Sequence, residues 1–269
     1  MRRLHWLGSA FALFFSCLQA QARVSGPEPE VNVFSDFDAQ FARQVDHRLQ
    51  VPERDQALYV AMVENALEGA GITGLTPQWM LVVDRSASVQ AAFLLIRSDA
   101  SHWHWVGATA ISTGRRGGFA HFITPLGVFL HSPANPDYRA EGSYNVNHIR
   151  GYGVQGMRVY DFGWQVAERT GGTGGESRMR LAAHATDPER LEASLGSAAS
   201  EGCIRMPASL NHFLDHYGVL DAEYEVASAQ GKAQRVLLAD RNPMIGAGRY
   251  LVVMDSHTSL RPPWAVKAR

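Results

Sequence analysis

Three apolar runs follow one another at residues 79–83, 91–96 and 103–111, each bounded by polar turns. They are rich in β-branched and aromatic residues, the pattern of successive antiparallel strands. Residues 178–183, 223–227, 235–239 and 250–254 have similar texture and extend the strand inventory. Gly 25 and Pro 12 in 269 residues imply frequent turns, which favours a β-rich fold over a helix bundle. With 19% charged and 46% hydrophobic residues, the chain is neither disordered, collagen-like nor a coiled coil. A formal net charge of −1 leaves no electrostatic footprint for nucleic acid. No apolar run reaches the roughly 18 residues that a membrane span needs.

Helical periodicity precedes and follows the strands. Phe37, Phe41 and Val45 recur every four residues, and the pattern restarts after Val51-Pro52. Tyr59, Met62, Val63, Ala66 and Leu67 then mark a second helix face, stopped by Gly69 and Gly71. These two helices read as a packing appendage without chemistry. Leu210, Phe213, Leu214 and Tyr217 mark another amphipathic helix, ended by Gly218. Residues 132–175 are glycine-rich and weakly periodic, which predicts a long lid or binding loop.

The first 22 residues read as a secretory leader. Arg2 and Arg3 give a basic start, residues 6–18 are largely apolar, and Ala20-Gln21-Ala22 supplies a small-x-small cleavage site. Removing Arg2 and Arg3 takes the net charge to about −3. A lipid anchor at Cys17 is disfavoured, because Phe14 stands where a Leu-like residue is required. Cys17 leaves with the leader, so Cys203 is the lone thiol of the exported protein. Such a thiol cannot form an internal disulfide and is either buried or used.

The surroundings of Cys203 point to use. The constellation is His184-Ala185-Thr186, then Ser200-Glu201-Gly202-Cys203-Ile204-Arg205-Met206. Gly202 permits a sharp turn and close approach of a substrate. Amides of Gly202 and Cys203 can face a developing oxyanion. Arg205 favours a thiolate or holds a substrate carboxylate. His184 ends a strand run and is placed to act as a general base, with a thiol pKa below about 8.5 as the expectation.

This segment resembles the catalytic domain of the L,D-transpeptidases of the YkuD type, whose signature is a His-Gly-Thr-like motif followed by Ser-His-Gly-Cys-hydrophobic-Arg. Ser112-Thr113-Gly114 and Thr124-Pro125-Leu126-Gly127-Val128-Phe129 supply a second family-like pair, upstream and in the right order. Glu201 stands where the family more often has His, and Ala185 where it often has Gly. The resemblance covers roughly residues 78–228. It implies a mostly β fold, an antiparallel β-sandwich of the L,D-transpeptidase type with flanking helices and an N-terminal helical appendage. The corresponding division is leader 1–22, linker and helices 23–77, catalytic domain 78–228, and a C-terminal extension 229–269 packing on it.

The resemblance also implies chemistry. Cys203 would attack the carbonyl of the third residue of a peptidoglycan stem peptide, expelling the terminal D-alanine and leaving a thioester. An amine of another stem, or of a cell-wall-anchored lipoprotein, would resolve it. His184 is the base, Gly202 and Ser200 serve the oxyanion and loop, and Arg205, Thr186 and Glu201 face the substrate. No metal or cofactor is required, and the place of action is the periplasm, with a role in cell-wall biogenesis and cell shape. An L,D-carboxypeptidase or amidase on the same scaffold, and a non-catalytic wall-binding protein, are the alternative functions.

Other histidines read as bland. His102 and His104 share a strand face without a third ligand at matching spacing. His212 and His216 are one helical turn apart, but Phe213 occupies the position of the glutamate a zinc-protease helix needs. Trp164 and Tyr160 read as core residues.

Overall fold

The computed structural model describes residues 33–74, 77–99, 102–232 and 234–266. The leader, Cys17 and the linker as far as Asn32 lie outside the described residues. Residues Val33–Arg269 form a single compact unit.

Two sheets carry the fold. In the first, β1 (Gln78–Asp84), β2 (Ala91–Arg97) and β3 (Trp103–Ala110) form an antiparallel meander at the three predicted runs. On the other side of β1 come β9 (Tyr250–Met254) and β4 (Gly127–Leu130), giving the order β3-β2-β1-β9-β4. β9 runs parallel to β1 and antiparallel to β4. The segment after residue 229 thus contributes an interior strand of this sheet.

The second sheet has the order β5-β6-β7-β8, from β5 (Tyr138–Arg139), β6 (Arg158–Glu168), β7 (Glu176–Ala185) and β8 (Ile204–Met206). β7 and β8 are parallel and the other pairs antiparallel. The fold is therefore mostly β and mostly antiparallel, with one parallel pairing in each sheet.

Side-chain alternation explains the layers. Trp79, Leu81 and Val83 of β1 join Tyr160 and Phe162 of β6, Leu181 and Ala183 of β7, and Ile204 and Met206 of β8 in one apolar core. Met80 and Val82 face the other way, onto Tyr59, Val63 and Leu67 of α2 (Glu53–Gly69). β1 and β2 are buried on both faces, which is why their sequences are unbroken apolar runs. α1 (Val33–Gln44) sends Phe41, and the chain just after it Val45, into the inter-sheet core, where Phe41 meets Phe213 of α3 (Ala208–His216) edge-on at 5.5 Å. The N-terminal helices flank the sheets and share their cores.

Three local expectations are corrected. Residues 223–227 lie in α4 (Ala222–Ala229), because its buried residues Tyr224 and Ala227 are spaced at three, not two. Residues 235–239 form turns. The stretch 132–175 is only partly loop: its second half contains β6, the longest strand, whose glycine sits in a bulge between Asp161 and Trp164. Among the described residues, no helix is long and apolar enough to cross a membrane.

Candidate active site

Cys203 lies immediately before β8, at the end of a loop that two distant segments stitch in place. Ser112 and Arg205 exchange backbone hydrogen bonds of 2.8 Å, and the amides of Ala199 and Ser200 donate to the Thr113 carbonyl. Thr124 is fully buried; its Oγ1 accepts from the Gly114 amide at 2.9 Å and donates to the Gly202 carbonyl at 2.7 Å. The upstream family-like segments and the cysteine loop are therefore in direct contact. Gly202 has φ +135°, a conformation in which an added Cβ would also lie 2.9 Å from Met179.

Ser200 organises the loop. Its hydroxyl donates to the Cys203 carbonyl at 2.5 Å and accepts from the Gly202 amide at 3.1 Å. Ser200 thus holds the loop, and the Gly202 amide, expected at the oxyanion, is committed to Ser200. The Cys203 amide is the remaining backbone candidate for an oxyanion.

His184 sits on β7, in register with Arg205 on the neighbouring parallel β8. Its Nδ1 lies 2.8 Å from the Ala185 carbonyl, which can only accept, so Nδ1 carries the proton and Nε2 is left basic. Burial lowers its pKa to about 4, and Arg205 pushes the same way. The imidazole is thus a neutral base.

The thiol departs from expectation. Burial pushes the Cys203 pKa up; the Ala182 amide and Arg205 oppose this, while Asp161 and Glu201 add to it, and the result lies above the ordinary cysteine value. Both the thiol and His184 are therefore held in their neutral forms, and the thiol donates to the Arg180 carbonyl at 3.8 Å.

A cavity of about 370 Å³ opens over Cys203. Asp161, Arg180 and Ala182 form its floor with Cys203, and Pro136, Tyr138 and Tyr152 its wall. Arg180, Ala182 and His184 alternate along β7 with the core residues Met179, Leu181 and Ala183, so the site occupies the sheet face turned away from the core. Tyr152 meets the His184 ring edge-on at 4.7 Å and Tyr138 at 5.9 Å, linking the base to the cavity wall. Both tyrosines also border a second cavity of about 420 Å³, enclosed by residues 139–145 and 151–153.

Of the sequence-predicted site residues Cys203 lines the thiol cavity, whereas His184, Thr186, Ser200, Glu201, Gly202 and Arg205 do not. Thr186 is buried, with its amide on the Met206 carbonyl. Arg205 is half-buried and donates from Nη1 to the Ala199 carbonyl at 3.3 Å. Glu201 is exposed, and its carbonyl accepts from the Phe122 amide. Trp164 is exposed, against the core reading, while Tyr160 is buried. His212 and His216 are exposed, and His104 lies 2.7 Å from Asp38. Among the described residues no three His, Cys, Asp or Glu side chains come together to hold a metal.

Asp161, Arg180, Tyr138 and Tyr152 were not identified from sequence. The signal was present for Arg180, since alternation along residues 178–183 puts it with His184. Asp161 was hidden because β6 read as loop.

No protein-family model and no curated protein matches the chain. Among solved structures it is similar to the helical cell shape determining protein Pgp2 from Campylobacter jejuni, at 10% identity and a TM-score of 0.30, over 87% of this chain and 58% of that one. A point mutant of Pgp2 matches at 9% identity and a TM-score of 0.29, over 87% and 57%. The chain thus spans less than three fifths of the solved chains it matches.

Proposed function

We propose that this protein is a cysteine acyltransferase of the bacterial cell wall, an L,D-transpeptidase acting on peptidoglycan stem peptides in the periplasm. The observation that carries the reading is the Cys203 loop: a half-buried thiol over an open cavity, clamped by the two segments that the family resemblance pairs with it.

Cys203 Sγ attacks the carbonyl carbon of the stem's third residue as its proton passes to His184 Nε2. The tetrahedral oxyanion collapses, the C–N bond to the terminal D-alanine breaks, and His184 returns the proton to the departing amine. The resulting thioester is attacked by an amine, from a second stem or a protein lysine, which forms the new amide and regenerates the thiol. The two cavities on either side of Tyr138 and Tyr152 offer room for donor and acceptor chains. Water in place of the amine would give a carboxypeptidase.

Mass spectrometry of muropeptides incubated with the purified protein tests the reading. New cross-linked dimers are expected with the wild type and none with Cys203→Ala. Shortened monomers alone would reassign the protein as a hydrolase. Unchanged muropeptides with an intact thiol would overturn the acyl-transfer reading.

A further inference from the structure

Arg180 is held on one edge and open on the other. Its Nε donates to Asp161 Oδ2 at 2.6 Å, which is the guanidinium's single hydrogen bond among the described residues. The Asp161 side chain is 3% exposed and that of Arg180 45% exposed. Asp161 is itself fixed: its Oδ1 accepts from the Gly163 amide at 2.8 Å, and its own amide donates to Asp137 Oδ1 at 2.9 Å. The two terminal NH₂ groups of Arg180 are thus left for a ligand in the cavity that Arg180 and Cys203 both line.

A guanidinium in this state is a rigid planar fork for an oxyanion. The carboxylate of Asp161 balances its charge, so recognition depends on the two-pronged geometry more than on attraction at long range. The site is also close to the chemistry, because Arg180 and Cys203 line one cavity of about 370 Å³. A carboxylate gripped here belongs to the same short fragment as the carbonyl that meets the thiol. Arg205 spends Nη1 on the Ala199 carbonyl and does not line the cavity.

We infer that Arg180 determines donor specificity by binding the free terminal carboxylate of the residue that leaves, with Asp161 as its positioning residue. The inference rests on the acyl-transfer reading and deepens it.

The test uses the full chain carrying Cys203→Ala and two synthetic stem-like tetrapeptides, one ending in a free carboxylate and its twin in a carboxamide. Calorimetry should find the acid bound about tenfold more tightly than the amide. Adding Arg180→Gln should abolish that preference, Arg180→Lys should keep a fraction of it, and Asp161→Asn should weaken it with the melting temperature of the Arg180 variants unchanged. Equal binding of acid and amide by the parent, no binding of either, or a preference that survives Arg180→Gln would each overturn the assignment. Muropeptide turnover by the protein with Cys203 intact separates the two readings. A preference without turnover leaves the anion site standing and removes the reaction; turnover without an Arg180-dependent preference does the reverse.

Discussion

His184 shows what one buried side chain does to pH behaviour. An unfolded histidine takes up a proton near pH 6.5, whereas folded His184 resists it to about 4. Above pH 6.5 both states are neutral and the residue contributes no pH dependence. As pH falls the unfolded chain gains a proton that the folded one refuses, so stability is lost between about pH 6.5 and 4, by about 3 kcal/mol in all. Urea midpoints at pH 7, 5.5 and 4.5 should therefore fall more steeply for the wild type than for His184→Gln; parallel curves would contradict the buried neutral assignment. The sequence made this histidine and Cys203 legible through their spacing and neighbours. It did not reveal the direction of the thiol shift, which depends on burial and on Asp161, a residue supplied by another strand.

At the scale of elements, the cysteine loop is rigid because three segments share one set of backbone bonds. Gly114 lies in the tightest part. A Cβ added there would fall 2.0 Å from the Phe122 carbonyl oxygen, 2.9 Å from the Thr124 amide and 3.0 Å from Gly202 Cα. All three are main chain, and the Phe122 amide is tied to the Glu201 carbonyl, so none can yield without moving the loop. Gly114→Ala should cost about 1–3 kcal/mol in a urea titration and slow thiol alkylation, with its urea m-value unchanged. Wild-type stability and alkylation rate would show that the clamp is dispensable. The apolar runs made β1, β2 and β3 readable because burial on both faces leaves no room for polar residues. Periodicity failed where it was short or interrupted: five residues cannot separate a spacing of two from one of three at α4, and a bulge breaks the alternation of β6.

The whole molecule is also tied by charge. Arg158 is fully buried; it donates to Asp137 at 2.7 Å and to both oxygens of Asp221 at 2.9 and 2.6 Å. Asp215 lies 3.4 Å away and also takes Arg139. Burial opposes the charge on Asp137, but His131 and Arg158 hold its carboxyl below the ordinary value. The cluster joins β6, the loop before α4 and the chain between Pro136 and Tyr138, so it also fixes the cavity wall. Arg158→Met would strand these carboxylates and should destabilise the fold by about 3–5 kcal/mol, read from the urea midpoint. A change under about 1 kcal/mol would mean that the carboxylates find other partners. Nothing in the sequence around Arg158 announced this, since its partners come from three distant segments.

The position of β9 bears on the order in which the surroundings of Cys203 assemble during synthesis. β4 joins the first sheet only through β9, and β9 pairs with β1 from near the opposite end of the chain. A ribosome-bound chain that has already emerged past Cys203 still lacks the strand that anchors β4, and with it the adjoining Thr124 clamp over Gly202. Closing so long a loop is entropically costly and slow. Cys203 is thus made early and its loop clamped late, so the growing polypeptide carries the thiol before the strand that completes the first sheet exists.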